Sequence, residues 1–149
     1  MIIAVVTSFL FGFILVGLLD FLLFIGLKIS YFDAYNITEY FNVIFIDNQN
    51  LILFVSLSLL FGYLMLYSRL SKFFDTFYII LLIVFASIFY KPVGKFVGEK
   101  LFMEKNKIFK IGDTRFRGDI LYVGRNYYYI KREGIKSAIR LSKEELKVL

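Results

Sequence analysis

Apolar positions along this chain crowd into three long runs within residues 1–90, then give way to an alternation of apolar and polar residues near the end. The first run spans about Ile2 to Leu27, 26 residues interrupted by a single charge, Asp20. At ~1.5 Å of rise per residue it predicts a helix of ~39 Å, long enough to cross a ~30 Å hydrocarbon core with room for tilt. The second run, LILFVSLSLLFGYLMLY over 51–67, opens after Asp47-Asn48-Gln49-Asn50 and closes at Ser68-Arg69. Its 17 residues sit at the short end of the workable spanning length. The third run covers 73–90 and stops at Lys91-Pro92, and the short link 68–72 makes runs two and three an antiparallel hairpin. Three spans result, with two or four as the alternatives.

Residues 29–50 follow neither pattern. Tyr31, Phe32, Tyr35, Tyr40, Phe41 and Ile44-Phe45-Ile46 are interleaved with Asp33, Asn36, Glu39 and Asp47. Such a piece is too polar to span and too aromatic for a solvated loop. It reads as an interfacial segment at headgroup depth, where a tyrosine keeps its ring apolar and its hydroxyl wet.

Beyond the third run the period changes twice. In 91–110, Val93, Val97 and Leu101 recur every four residues among lysines, which predicts an amphipathic juxtamembrane helix weakened by Gly94 and Gly98. From about residue 107 the segments 107–111, 114–123, 126–132 and 135–141 are rich in Ile, Val, Tyr and Phe. Gly112-Asp113, Gly124-Arg125 and Glu133-Gly134 separate them as turns between strands. Ser142-Lys143-Glu144-Glu145 matches a capping box and predicts a short helical turn. The fold class is therefore an α-helical integral membrane protein of about three transmembrane helices with a small C-terminal all-β domain, an SH3-like or OB-like barrel. A domain of this size buries little core alone and is expected to lean on the membrane part or on copies of itself.

Charge sharpens the division. Residues 1–90 hold three Lys/Arg and five acids, a net of −2, whereas 91–149 hold fifteen and seven, a net of +8. Lysines close to a span's end favour the cytoplasmic side. With the basic end inside, Lys28, Lys91, Lys95, Lys100, Lys105, Lys107 and Lys110 face in and Arg69 and Lys72 face out, seven against two. The apolar fraction of 59% supports a membrane assignment. The N-terminal run lacks a basic flank and a small-residue cleavage pattern, so it is expected to stay as an anchor. Nineteen Phe, eleven Tyr, no Trp and one Pro fit an AT-rich bacterial genome, and the expected place is the inner (cytoplasmic) membrane.

The chain has no Cys and no His, which removes thiolate zinc and iron–sulfur sites, Cys nucleophiles and the commonest general base. An enzyme is not expected, no cofactor or metal is expected, and Ser68, Ser71 and Lys72 make no convincing Ser–Lys dyad. Asp20 is the single ionisable residue well inside a span and therefore the ion or proton candidate by default. Its bland alternative, a protonated or hydrogen-bonded buried carboxyl, is favoured by a position several residues off the centre of 2–27. Ser8, Gly12 and Gly17 share an arc of the first helix with Asp20, and Ser58 and Gly62 repeat the small-x-x-x-small spacing in the second, a pattern that lets two backbones approach.

Lys91, Lys95, Lys100, Lys105, Arg125, Lys131 and Arg132 form the expected face for anionic headgroups or a partner, each cation near the surface contributing about 1 kcal/mol to an anionic leaflet. A nucleic-acid partner is not expected, because no RNA-recognition signature accompanies the basic, Tyr-rich strands. Arg117-Gly118-Asp119, Asn36-Ile37-Thr38 and Gly94-x-x-x-Gly98 are read as chance matches. In layout the chain resembles short membrane proteins with a C-terminal OB-fold, such as the NfeD-like family; the Pro- and Gly-patterned strands of that family are missing from 107–149. The functional expectation is an accessory or scaffold subunit of a membrane complex, bound to a membrane-protein partner or to itself. The alternative is a homo-oligomeric channel or ion-coupled component using Asp20.

Overall fold

The computed structural model describes residues 2–148 apart from Asp113, Glu133, Ile135, Lys136 and Glu145, with Lys147 and Val148 described through their backbone. Helix α1 (Ile2–Leu27) does not stop at the end of its apolar run. It continues through a π turn (Lys28–Phe32) and a 3-10 turn (Asp33–Tyr35) as one rod of 34 residues. The rod ends at Asn36, whose φ of 57° is the left-handed conformation that terminates helices. Asn36 and Ile37 then donate their N–H groups back to the carbonyls of Asp33 and Phe32, at 3.1 and 2.8 Å.

After a short extended stretch, α2 (Phe41–Asp47) meets α3 (Leu51–Tyr67) at a bend of 82°. The break falls at Asn48-Gln49-Asn50, and Asn50 caps α3 by accepting the Leu53 N–H at 3.1 Å. Helix α4 (Ser71–Ala86) extends through a 3-10 turn (Ser87–Phe89), and α5 (Lys91–Phe102) begins with Pro92 in its first turn. Two helices are long and apolar enough to cross a membrane, or three if α2 and α3 count as one bent span.

The C-terminal part is antiparallel. Strands β1 (Glu104–Ile111), β2 (Thr114–Val123), β3 (Tyr127–Lys131), β4 (Ile139–Ser142) and β5 (Leu146–Val148) stand in the order β4-β3-β2-β1-β5. The pairings leave an open sheet with β4 and β5 at its two edges. The juxtamembrane helix is shorter than the sequence reading: Met103 turns extended, and β1 takes up the lysines from Lys105 onward by pairing with β2. The helical turn expected at Ser142 is absent among the described residues. Ser142 Oγ accepts the N–H of Glu144, two residues on, at 3.3 Å, and the chain turns into β5. Glu145, the last residue of that capping box, and the first residues of the expected fourth strand, Ile135 and Lys136, lie outside the described residues.

Two cores organise the molecule. A small one lies within the sheet around Phe109, Ile120, Ile130 and Leu146. The larger joins the helices to the sheet: Phe24, Leu27, Tyr31 and Phe32 from the rod, Ile37 and Ile44 from the following segment, Ile88 from the end of α4, and Leu121, Tyr122 and Tyr129 from β2 and β3. Residues 29–50 thus supply the centre of this junction, with Tyr31, Phe32 and Ile44 wholly enclosed by protein.

Candidate functional site

Three places gather the residues that the sequence singles out. The first is the seam between α1 and α3. Ser8 and Gly12 lie against Gly62 and Ser58, two antiparallel small-x-x-x-small pairs in direct backbone approach. A Cβ on Gly12 would overlap the carbonyl oxygen of Ser58, and one on Gly62 would overlap that of Ser8. Gly17 lies outside the seam, since a Cβ there would meet nothing within 4 Å. Five residues past Gly12 is about 140° around the wheel, which turns it away. Two tyrosines brace the bundle: Tyr78 of α4 donates to the Leu15 carbonyl at 2.8 Å, and the Tyr67 and Thr7 hydroxyls are 2.7 Å apart.

The second is the junction itself. Phe32 packs edge-on to Tyr122 and Phe102, ring centroids 5.0 and 5.4 Å apart, and Phe24 meets Phe45 at 5.3 Å. Polar atoms inside this apolar mass are paired. Tyr31 donates to the Leu121 carbonyl at 2.8 Å, Tyr35 to Glu99 of α5 at 2.5 Å, and the Ala138 N–H to the Tyr35 carbonyl at 2.8 Å. Gly94 and Gly98, read from sequence as weak points of α5, are where it docks. A Cβ at Gly94 would strike Ser30 and the Ile88 carbonyl, and one at Gly98 would strike the Tyr31 ring. The four-residue spacing that looked like chance was the available signal, though Ser30 and Tyr31 lie more than sixty residues away in the chain.

Of the expected basic face, Lys91, Lys95, Lys100 and Lys105 are exposed. Lys95 Nζ stands 4.6 Å from the centre of the Tyr35 ring, Lys131 Nζ 5.7 Å from the same ring, and the Arg132 guanidinium 5.1 Å from that of Phe116. Arg125 is engaged differently. Its Nε and Nη2 donate to the two carboxylate oxygens of Asp47 at 2.7 and 2.5 Å, tying the β2–β3 turn to α2. That bidentate bond holds the Asp47 carboxyl below the usual carboxylate range, while burial pushes the Tyr122 phenol up. Arg117, Lys131 and Arg132 line an open cavity of about 440 Å³ with Asn106 and Asp119, and Asp119 accepts the Asn106 N–H at 2.9 Å.

The third place surrounds Asp20. The rod's continuation to Tyr35 puts Asp20 nearer its middle than a helix ending at Leu27 would. Gln49, at the break between α2 and α3, donates Nε2 to Asp20 Oδ2 at 2.7 Å. A cavity of about 160 Å³ adjoins them, walled by Val16, Leu23, Phe24, Leu53, Phe54 and Leu57, with Asn48 and Asn50 beside Gln49. Gln49 Oε1 is buried and has no partner. Nothing in the sequence pattern pairs residues 20 and 49; only the fold of α3 back along α1 does so. Among the described residues no three Asp or Glu side chains converge as a metal site would require. Comparison with known protein families, with curated proteins and with solved structures finds no match for this chain.

Proposed function

We propose that the protein is a non-enzymatic accessory or scaffold subunit of a membrane complex, set in the inner membrane of a bacterium with its sheet on the cytoplasmic side. The carrying observation is the shared core in which Tyr31, Phe32, Ile44, Leu121, Tyr122 and Tyr129 belong equally to helices and sheet. A sheet welded to its membrane helices holds any docked partner at a set height and angle to the bilayer, which a tethered domain does not. The lysines of α5 and β1 supply the charged rim, suited to anionic headgroups beneath the bilayer or to an acidic partner surface. A meander whose last strand returns to the free side of β1 supports the small-barrel reading, since β4 and β5 are then the edges that closure would join.

Native mass measurement after extraction in gentle detergent tests this reading. A complex of fixed stoichiometry with a second protein is expected, and the triple substitution Lys95→Glu, Lys100→Glu, Lys105→Glu should dissolve it while leaving the helical signal intact. A homo-oligomeric ring with no second protein would contradict the accessory role and favour a channel.

A further inference from the structure

We infer that Asp20 and Gln49 form a proton-binding site in which the Gln49 carboxamide reverses when Asp20 takes up a proton. This goes beyond the docking reading and does not depend on it. Gly26 of α1 lies against Ile88 near the end of α4, so Lys28 and Lys91 mark one edge of the apolar zone. Asp20 lies eight residues inside Lys28, about 12 Å at ~1.5 Å per residue. A helical break is tolerated where it is enclosed by protein or lines a cavity, and broken helices are where membrane proteins place sites for ions and protons. The break at 48–50 lines the cavity beside Asp20.

The ligand is a proton rather than a metal cation because Asp20 is the one carboxylate on the cavity wall and, among the described residues, no three acidic side chains converge as a metal site would require. The Ile44 carbonyl accepts from the Asn48 N–H and Nδ2 at 3.3 and 2.8 Å, the Ile46 carbonyl from the Gln49 N–H at 3.4 Å, and Asn50 Oδ1 from Leu53. Asp20 is bonded by the Gln49 amide alone among the described residues. With Asp20 ionised, Nε2 donates to it and Oε1 is orphaned. With a proton added from water, the carboxyl becomes an O–H donor, and the Gln49 carbonyl turned toward it accepts that bond. No other bond holds either end of the amide among the described residues, so its orientation follows the charge on Asp20 alone. Among the described residues no other charged side chain lines the cavity; Asp47, two residues before Gln49, is held by Arg125, and Tyr122 of β2 accepts from Asn48 Nδ2 at 3.2 Å.

Gln49 is the sole glutamine, so glutamine-selective ¹⁵N labelling of the full chain in lipid bilayers gives one side-chain amide to follow by solid-state NMR. The expected result is a one-proton titration of that amide sharing its midpoint with an aspartate carboxyl that is missing from Asp20→Asn. The Asn variant should leave the amide independent of pH, Asp47→Asn should leave the titration in place, and Gln49→Leu should shift the Asp20 midpoint. An amide that ignores pH while Asp20 titrates would overturn the inference. So would an amide titration abolished by Asp47→Asn and not by Asp20→Asn. Should Asp20→Asn fail to fold, the coincidence of midpoints in the parent chain and the Gln49→Leu shift decide alone.

Discussion

The seam between α1 and α3 and the junction between helices and sheet are both tightly packed, yet from opposite materials. At the seam the touching atoms are backbone, separated by nothing larger than Ser8, Gly12, Ser58 and Gly62. At the junction they are rings, with Phe24, Tyr31, Phe32, Phe102, Tyr122 and Tyr129 interlocked, the Tyr31 hydroxyl bonded to the Leu121 carbonyl and that of Tyr129 to the Glu39 carboxylate. In the proposed membrane setting the difference follows from the solvent each region leaves. A helix in lipid gains nothing from burying more hydrocarbon, so association rests on close van der Waals approach, which small residues allow. A sheet placed, as proposed, at the membrane edge leaves water, and large aromatic surfaces then contribute most.

The comparison breaks first at Phe32. Phe32→Ala should cost about 3–5 kcal/mol, because the ring is wholly enclosed, whereas Phe73→Ala, on a side chain 62% exposed along α4, should stay within about 0.5 kcal/mol. Unfolding in nanodiscs measures both, and equal losses would show that the junction is no core. At the seam, Gly12→Ala should destabilise by about 1–3 kcal/mol through collision with the Ser58 carbonyl. Gly17→Ala, in open space one and a half turns away, should be neutral or stabilising by up to about 1 kcal/mol from helix propensity. A gain at both positions would mean that helix propensity, rather than approach, governs the seam.

Smaller effects separate ring burial from hydrogen bonding. Tyr31→Phe keeps the ring and leaves the Leu121 carbonyl without its donor, and should cost about 1 kcal/mol in the same assay. The least effect belongs to Asp47. Its carboxyl is held low by Arg125, so the stabilisation is present above the unfolded value of about 4 and is lost as pH falls through the folded one. Stability against pH should bend downward in that acid window, and Asp47→Asn should flatten the bend without altering the neutral plateau's shape. An unchanged bend would remove the Asp47–Arg125 bond from the links between α2 and the sheet.

The long apolar helices were legible because charge and hydropathy act locally: the run LILFVSLSLLFGYLMLY is α3 from its first residue to its last. Strand β2 was legible for the same reason, with Gly112 and Gly124 bounding a β-rich decamer. The junction was not. Tyr31 and Phe32 carry the composition of a headgroup belt, and only contact with Leu121 and Tyr122, about ninety residues on, makes them core. Periodicity cannot register such a pairing. Gly94 and Gly98 failed for a related reason, since a glycine that weakens an isolated helix is indistinguishable in sequence from one that admits Ser30 and the Tyr31 ring. Arg125 looked like free surface charge because its acid, Asp47, sits on another element. At Asp20 the residue was legible and its partner was not.

That the sheet is carried rigidly by the apolar helices is most directly tested by a spin-label distance. The chain has no cysteine, so Leu18→Cys on α1 and Val123→Cys at the end of β2, both exposed, give one unambiguous pair. Pulsed electron double resonance in lipid nanodiscs should return a single narrow distribution that broadens when Phe32→Ala is added. A broad distribution in the otherwise unaltered chain, insensitive to Phe32→Ala, would mean that the sheet hangs from the membrane on a tether and that the shared core does not hold it.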